Sequence, residues 1–179
     1  MQLTKTYRIG VLGLTHDHVW NNLRELVAST HGLLTAVADV NKPLIERAKR
    51  EFDCATYKDP QTLLQRERLD AVYLYGDNAL SMELAETAAA KGLHILVEKP
   101  MAADLIGADR MLAAARRSGV RLMVNWPFAW RPQLRRAIQL CKSGDIGRVW
   151  QMKYRAAHEG PLEHGCSPYF VQWLYDPEL

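Results

Sequence analysis

Gly92–Ala102 reads G-L-H-I-L-V-E-K-P-M-A: a glycine, a short apolar run, then a charged pair and a proline. His94–Val97 has the look of a buried strand, and Glu98-Lys99-Pro100 ends it with charges that packing alone does not require. In open α/β sheets ligands bind outside the carboxyl ends of the strands. Lys99 is therefore the leading catalytic candidate, able to donate to a substrate oxygen or to relay a proton. The plainer reading of the same residues is a strand-end salt bridge between Lys99 and Glu98.

Outward from this stretch, strands alternate with helices. On its C-terminal side, Asp104 opens a helix with Leu105, Ala108, Leu112 and Ala115 on one side, closed by Gly119, and Val120–Val124 is another apolar strand. On its N-terminal side, an alanine-rich helix through Leu84 and Ala88 ends at Gly92, which reads as a C′ glycine. Ahead of it A-V-Y-L-Y from Ala71 is apolar on both faces, as a central parallel strand must be. Asp59-Pro60 opens a short helix after a weak strand at Ala55–Tyr57, and Pro43 takes the first turn of the helix before that. Leu33–Ala38 and Arg8–Leu12 complete six strands. Alternation of this length predicts a doubly wound parallel α/β sheet of the Rossmann type over residues 1–125.

After Asn125 the pattern changes. Trp126–Pro132 is rich in aromatics and proline, a poor strand and a poor helix. Leu134, Ala137, Ile138 and Cys141 mark an amphipathic helix ended by Gly144. Val149–Ala156 alternates with period two and predicts a half-exposed antiparallel strand. Residues 126–179 thus read as the incomplete start of a second α/β domain, with a loop-like tail carrying His158 and His164.

Composition narrows the function classes. A net charge of +3 with scattered arginines argues against nucleic-acid binding. No apolar run nears the roughly 20 residues of a membrane helix, and the first ten residues lack the features of a secretory signal. Three widely spaced cysteines suit a reducing compartment, so the expected location is cytoplasmic.

The turn after the first strand, Gly13-Leu14-Thr15-His16-Asp17-His18, retains only the first glycine of the G-x-G-x-x-G fingerprint. A helix N-terminus still offers amides to a phosphate, so Gly13, Leu14, Thr15 and His16 are candidate cofactor contacts. Asp39, closing the second strand at about the fingerprint's spacing, would accept from ribose hydroxyls and disfavour a 2′-phosphate, which points to NAD over NADP. The alternative for Asp39 is a turn residue before Asn41-Lys42-Pro43. His16, Asp17 and His18 are consecutive and cannot all face one ion, so no metal site is expected. Asp17 reads as a helix-start carboxylate, His18 as a packing residue in place of the third glycine, and His94 as structural.

Taken together, I-G-V-L-G at the first turn, V-A-D at Asp39, D-A-V at Asp70, G-L-H-I-L-V-E-K-P-M-A, and S-G-D-I-G-R-V at Ser143–Val149 resemble the Gfo/Idh/MocA oxidoreductase family. The resemblance runs from Tyr7 to about Arg155. It implies a Rossmann domain followed by a substrate domain with an open antiparallel sheet, NAD as cofactor, a small sugar or polyol as substrate, and a possible homo-oligomer. It also implies a role for Glu98 at the cofactor, a substrate contact for Lys99, and a cis Lys99–Pro100 peptide. Two departures stand out: Thr15 and His18 occupy glycine positions, and Ser81 replaces a frequent histidine. The family's Asp-x-x-x-His segment, with its acid/base histidine, is not found before Leu179. A non-catalytic nucleotide-binding or scaffolding protein is therefore the competing reading, and a metal-dependent hydrolase using His16 and His18 the least favoured. An unpaired strand near Trp150 and Met152 predicts self-association.

Overall fold

The computed structural model describes residues 5–157 and 159–176. His158 lies outside the described residues. Six parallel strands form one sheet in the order β3-β2-β1-β4-β5-β6: β1 Tyr7–Leu12, β2 Gly32–Ala38, β3 Ala55–Tyr57, β4 Ala71–Leu74, β5 His94–Glu98 and β6 Leu122–Asn125. The crossover helices are α1 His18–Ala28, α2 Lys42–Glu51, α3 Pro60–Arg66, α4 Asn78–Ala90 and α5 Leu105–Ser118. The order reverses between β1 and β4, and the crevice of such a sheet opens at that switch, beyond the strand ends.

Two apolar layers bury the sheet. On one face α1 and α2 bring Val19, Leu23, Leu44 and Ile45 against Val11 and Val37. On the other, α4 and α5 bring Leu84, Ala88 and Met111 against Val72, Leu74 and Val97. The central strands β1 and β4 contribute to both layers, which is why they read as nearly continuous apolar runs. Asp59, Asp77 and Asp104 cap their helices through side-chain bonds to backbone amides, each satisfying an orphan donor of the first turn. Gly92 follows α4 at φ +76° and Gly119 follows α5 at φ +65°, the left-handed ends that their positions predicted.

Beyond β6 the chain forms a 3₁₀ turn, Pro127–Trp130, and helix α6, Pro132–Ser143, none of whose residues is buried. The predicted strand at Val149–Ala156 does not form: residues 148–156 are exposed and pair with no strand among the described residues. A period-two pattern becomes a strand only when a neighbour supplies hydrogen-bond partners. The tail differs from expectation in the opposite sense, since Pro168–Leu174 is helix α7, with Ser167 capping the Phe170 amide and with Phe170 and Trp173 buried. No helix is long and apolar enough to cross a membrane, among the described residues.

Candidate active site at the carboxyl ends of β1 and β5

Gly13 makes the first turn possible. Its φ is +85°, and a Cβ there would stand 2.3 Å from the Gly76 amide nitrogen, so the turns after β1 and β4 meet backbone to backbone. Asp39 staples this turn from below: its Oδ2 accepts from the Leu14 amide at 2.6 Å, and its Oδ1 accepts from the Asn41 amide and side chain at 2.7 and 2.9 Å. At 3 % exposure the carboxylate is a structural anchor in this conformation, and burial raises its pKa despite those donors. The turn reading of Asp39 is what these bonds show: it shapes the chain at Asn41 and holds the turn after β1. Thr15 is half-buried, with its hydroxyl on the Tyr75 carbonyl.

Glu98 occupies the centre of the site at 4 % exposure. Oε1 accepts from the Lys99 amide and from His18 Nδ1, both at 3.1 Å, and Oε2 accepts from Asn125 Nδ2 at 2.7 Å. Asn125 pairs with Glu98 in the β5–β6 register and itself accepts from Trp130 Nε1 at 3.2 Å. The salt-bridge reading of Glu98-Lys99 is replaced: the carboxylate turns inward onto this network. The Lys99–Pro100 peptide is cis. Lys99 is half-buried, and its charge acts on both His16 and Cys166.

His18 does not pack as a surrogate glycine. Its side chain is 40 % exposed and reaches 80 residues along the chain to Glu98. His16 is the buried member, 2 % exposed, with Nε2 4.0 Å from Glu98 Oε1 and no hydrogen-bond partner among the described residues. Burial, then the charges of His18 and Lys99, lower its pKa to about 3. Asp17 caps nothing with its side chain. It accepts instead from the Ser167 amide at 2.6 Å, and that bond ties α7 to the start of α1. Phe170 stands edge-on to the His16 ring at 4.5 Å and Trp173 lies 6.0 Å away, its Nε1 also without a partner among the described residues.

The structure brings His16, His18, Glu98 and Lys99 together, sets Gly13, Leu14 and Asp39 in the turn after β1, and places the Thr15 hydroxyl on the Tyr75 carbonyl. Sequence reasoning missed four contributors: His18, Asn125, Phe170 and Trp173. The sole local signal for the last two was the aromatic spacing in P-Y-F-V-Q-W, with Ser167-Pro168 as a helix start. His94 is structural as read, its Nδ1 accepting from the Arg121 amide.

The model of an oxidoreductase family with an NAD-binding Rossmann fold, Gfo/Idh/MocA, matches residues 7–126. The chain belongs to that family. Over 145 residues it is 34 % identical to dTDP-3,4-didehydro-2,6-dideoxy-alpha-D-glucose 3-reductase of Actinomadura kijaniata, covering 79 % of this chain and 43 % of the relative. It is 28 % identical to D-apiose dehydrogenase of Paraburkholderia graminis, covering 84 % and 39 %. Among solved structures, a 3-ketoreductase from A. kijaniata in complex with TDP-benzene and NADP matches with a TM-score of 0.71 at 32 % identity, over 81 % of this chain and 46 % of that one. Scyllo-inositol dehydrogenase from Lactobacillus casei, with NAD(H) and scyllo-inositol bound, shares the fold at a TM-score of 0.75 and 22 % identity, over 81 % and 43 %. The chain spans less than half the length of these relatives, and the matched part carries the nucleotide-binding fold.

Proposed function

We propose that this Gfo/Idh/MocA chain is the dinucleotide-binding part of an NAD-dependent oxidoreductase that acts on a sugar, polyol or related hydroxy compound. The observation that carries the reading is that the Gly13 turn and the Glu98-Lys99 pair stand at the carboxyl ends of β1 and β5, the two strands that flank β4, with His18 of the turn region bonded to Glu98. Two features support a dinucleotide: Gly13 lets the turn after β1 close against the Gly76 backbone, and the Thr15 and Asp17 amides at the head of α1 have no partner among the described residues. Such amides suit a pyrophosphate. The similar structures carry NAD(H) in one case and NADP in another; the buried Asp39 charge beneath the turn favours NAD here, because a 2′-phosphate would add negative charge beside it.

In this reading the nicotinamide ring accepts or returns hydride when bound. The protein's own part is orientation and proton movement. Glu98 fixes the strand end through three donors, so Lys99 leaves it in one direction with its ammonium free to donate to the substrate oxygen. Residues 126–179 open the domain that holds the substrate, with α7 roofing the cofactor side. Turnover needs an acid/base partner for Lys99.

Titration of the chain with NADH and NADPH, followed by nicotinamide fluorescence, tests this. Saturable binding with NADH tighter than NADPH is expected, and G13A abolishes it. No saturation with either nucleotide at millimolar concentration would overturn the reading.

A further inference from the structure

His16, His18 and Glu98 form a group that the consecutive histidines alone could not. One ligand atom from each lies within 4.8 Å of the others, with His18 Nδ1 at 3.1 Å and His16 Nε2 at 4.0 Å from Glu98 Oε1. From this geometry we infer that His16, His18 and Glu98 bind a divalent transition-metal ion of the zinc type, through two imidazole nitrogens and one carboxylate oxygen. Bonds of about 2.0–2.1 Å in a tetrahedral shell place ligand atoms roughly 3.3–3.4 Å apart, and the two measured separations bracket that value. His18, the partly exposed member, closes the remaining edge by a side-chain swing.

Three features set this group apart from an ordinary buried polar cluster. First, His16 Nε2 is enclosed at 2 % exposure without any hydrogen-bond partner among the described residues; a buried polar atom in that state points to a missing ligand. Second, the carboxylate is aimed by its surroundings, through Asn125 Nδ2 at 2.7 Å and Trp130 Nε1 behind it, the kind of support that orients metal ligands. Third, His18 Nδ1 faces the same Glu98 oxygen at 3.1 Å that His16 Nε2 faces at 4.0 Å, so both imidazoles address one carboxylate oxygen. Two nitrogens and one oxygen suit zinc, cobalt or ferrous iron and not magnesium or calcium, which take oxygen shells. Three protein ligands leave at least one position for water or a ligand oxygen, as in catalytic zinc sites.

There are opposing terms. His16 Nδ1 accepts from the His18 amide at 3.2 Å, so metal capture at Nε2 moves the ring proton and loses that bond, and capture of His18 Nδ1 replaces its bond to Glu98 Oε1. Lys99 repels a cation while Glu98 attracts it. Asp17 is no ligand, because Ser167 and Cys166 occupy its carboxylate.

The test uses the tag-free 179-residue chain, stripped with a chelator and titrated with Co²⁺ as the probe, with Mg²⁺ as a control. One equivalent of Co²⁺ is expected to produce the visible absorption of a four- or five-coordinate site, to be displaced by Zn²⁺ and to be unaffected by Mg²⁺. H16Q, H18Q and E98Q are each expected to weaken Co²⁺ binding at least 100-fold, with far-UV circular dichroism confirming the fold. Paramagnetic broadening of the His16 and His18 ring signals in the unsubstituted chain supplies a readout independent of variant stability. Absence of the visible bands, or of that broadening, overturns the proposal, as does parent-like binding by folded variants. NADH titration of the stripped chain is a separate experiment, so failure here leaves the dinucleotide reading standing.

Discussion

His16 shows how one residue links burial, charge and stability. Its folded pKa of about 3 lies below the ordinary 6.5, so between those values the unfolded chain binds a proton that the folded chain refuses. Stability from this group is complete above about pH 6.5 and drains away as pH falls toward 3, at up to about 1.4 kcal/mol per pH unit. Urea midpoints measured from pH 7.5 down to 4.5 should fall steeply, and H16Q should flatten the descent even if it lowers the plateau. Gly13 makes a different prediction. G13A forces a side chain into the left-handed region and into the Gly76 backbone, a loss of at least about 2 kcal/mol, measurable as a shift of the denaturation midpoint. Glu98 illustrates why a charge at a strand end is informative: three donors surround it, and E98Q leaves one of them facing an amide that cannot accept as well.

At the level of elements, α7 is the piece that completes the crevice. Its buried faces are Phe170 and Trp173, and its anchor is the Asp17–Ser167 bond. F170A is expected to raise hydrogen exchange across Pro168–Leu174 while amides of β1, β4 and β5 keep their protection, since α7 is held by few contacts and the sheet by many. Equal loss in the sheet would show that α7 is part of the global unit. The sheet and its crossover helices were legible because most have their own punctuation: Asp59 and Asp104 at helix starts, Pro43 in the first turn of α2, glycines at Gly92 and Gly119, and apolar runs matched to a two-sided parallel sheet. The extended stretch at 148–156 misled because alternation reports only a two-faced preference, and pairing is supplied by other strands. His18 misled for a related reason. Glu98, its partner, is 80 residues away, and the helical pattern around His18 carries no trace of it.

At the scale of the whole molecule, the described surface is uneven. Trp150 and Met152 are each 82 % exposed, α6 buries nothing, and Ile138, Tyr154 and Phe128 stand out beside them. The α1 face of the sheet is also open at a cavity of about 510 Å³ lined by Ile9, Tyr73, Leu96, Met123 and Trp130. Apolar surface on this scale associates in water. Light scattering of the 179-residue chain should show concentration-dependent oligomers, and W150E with M152K should shift the distribution toward monomer; a monodisperse monomer of the unsubstituted chain would contradict this. The matched stretch covers 43 % of the A. kijaniata reductase, so that relative carries further chain of its own.

The Asp17–Ser167 clasp joins positions 150 residues apart. A ribosome adding about 5–20 residues per second makes the second partner roughly 8–30 s after the first. Glu98 and Asn125 are made within that interval, ahead of α7, so the six strands and five crossover helices are complete before Phe170 and Trp173 exist to cover His16. The order of synthesis thus lets the sheet form first and the α7 cover close over it second.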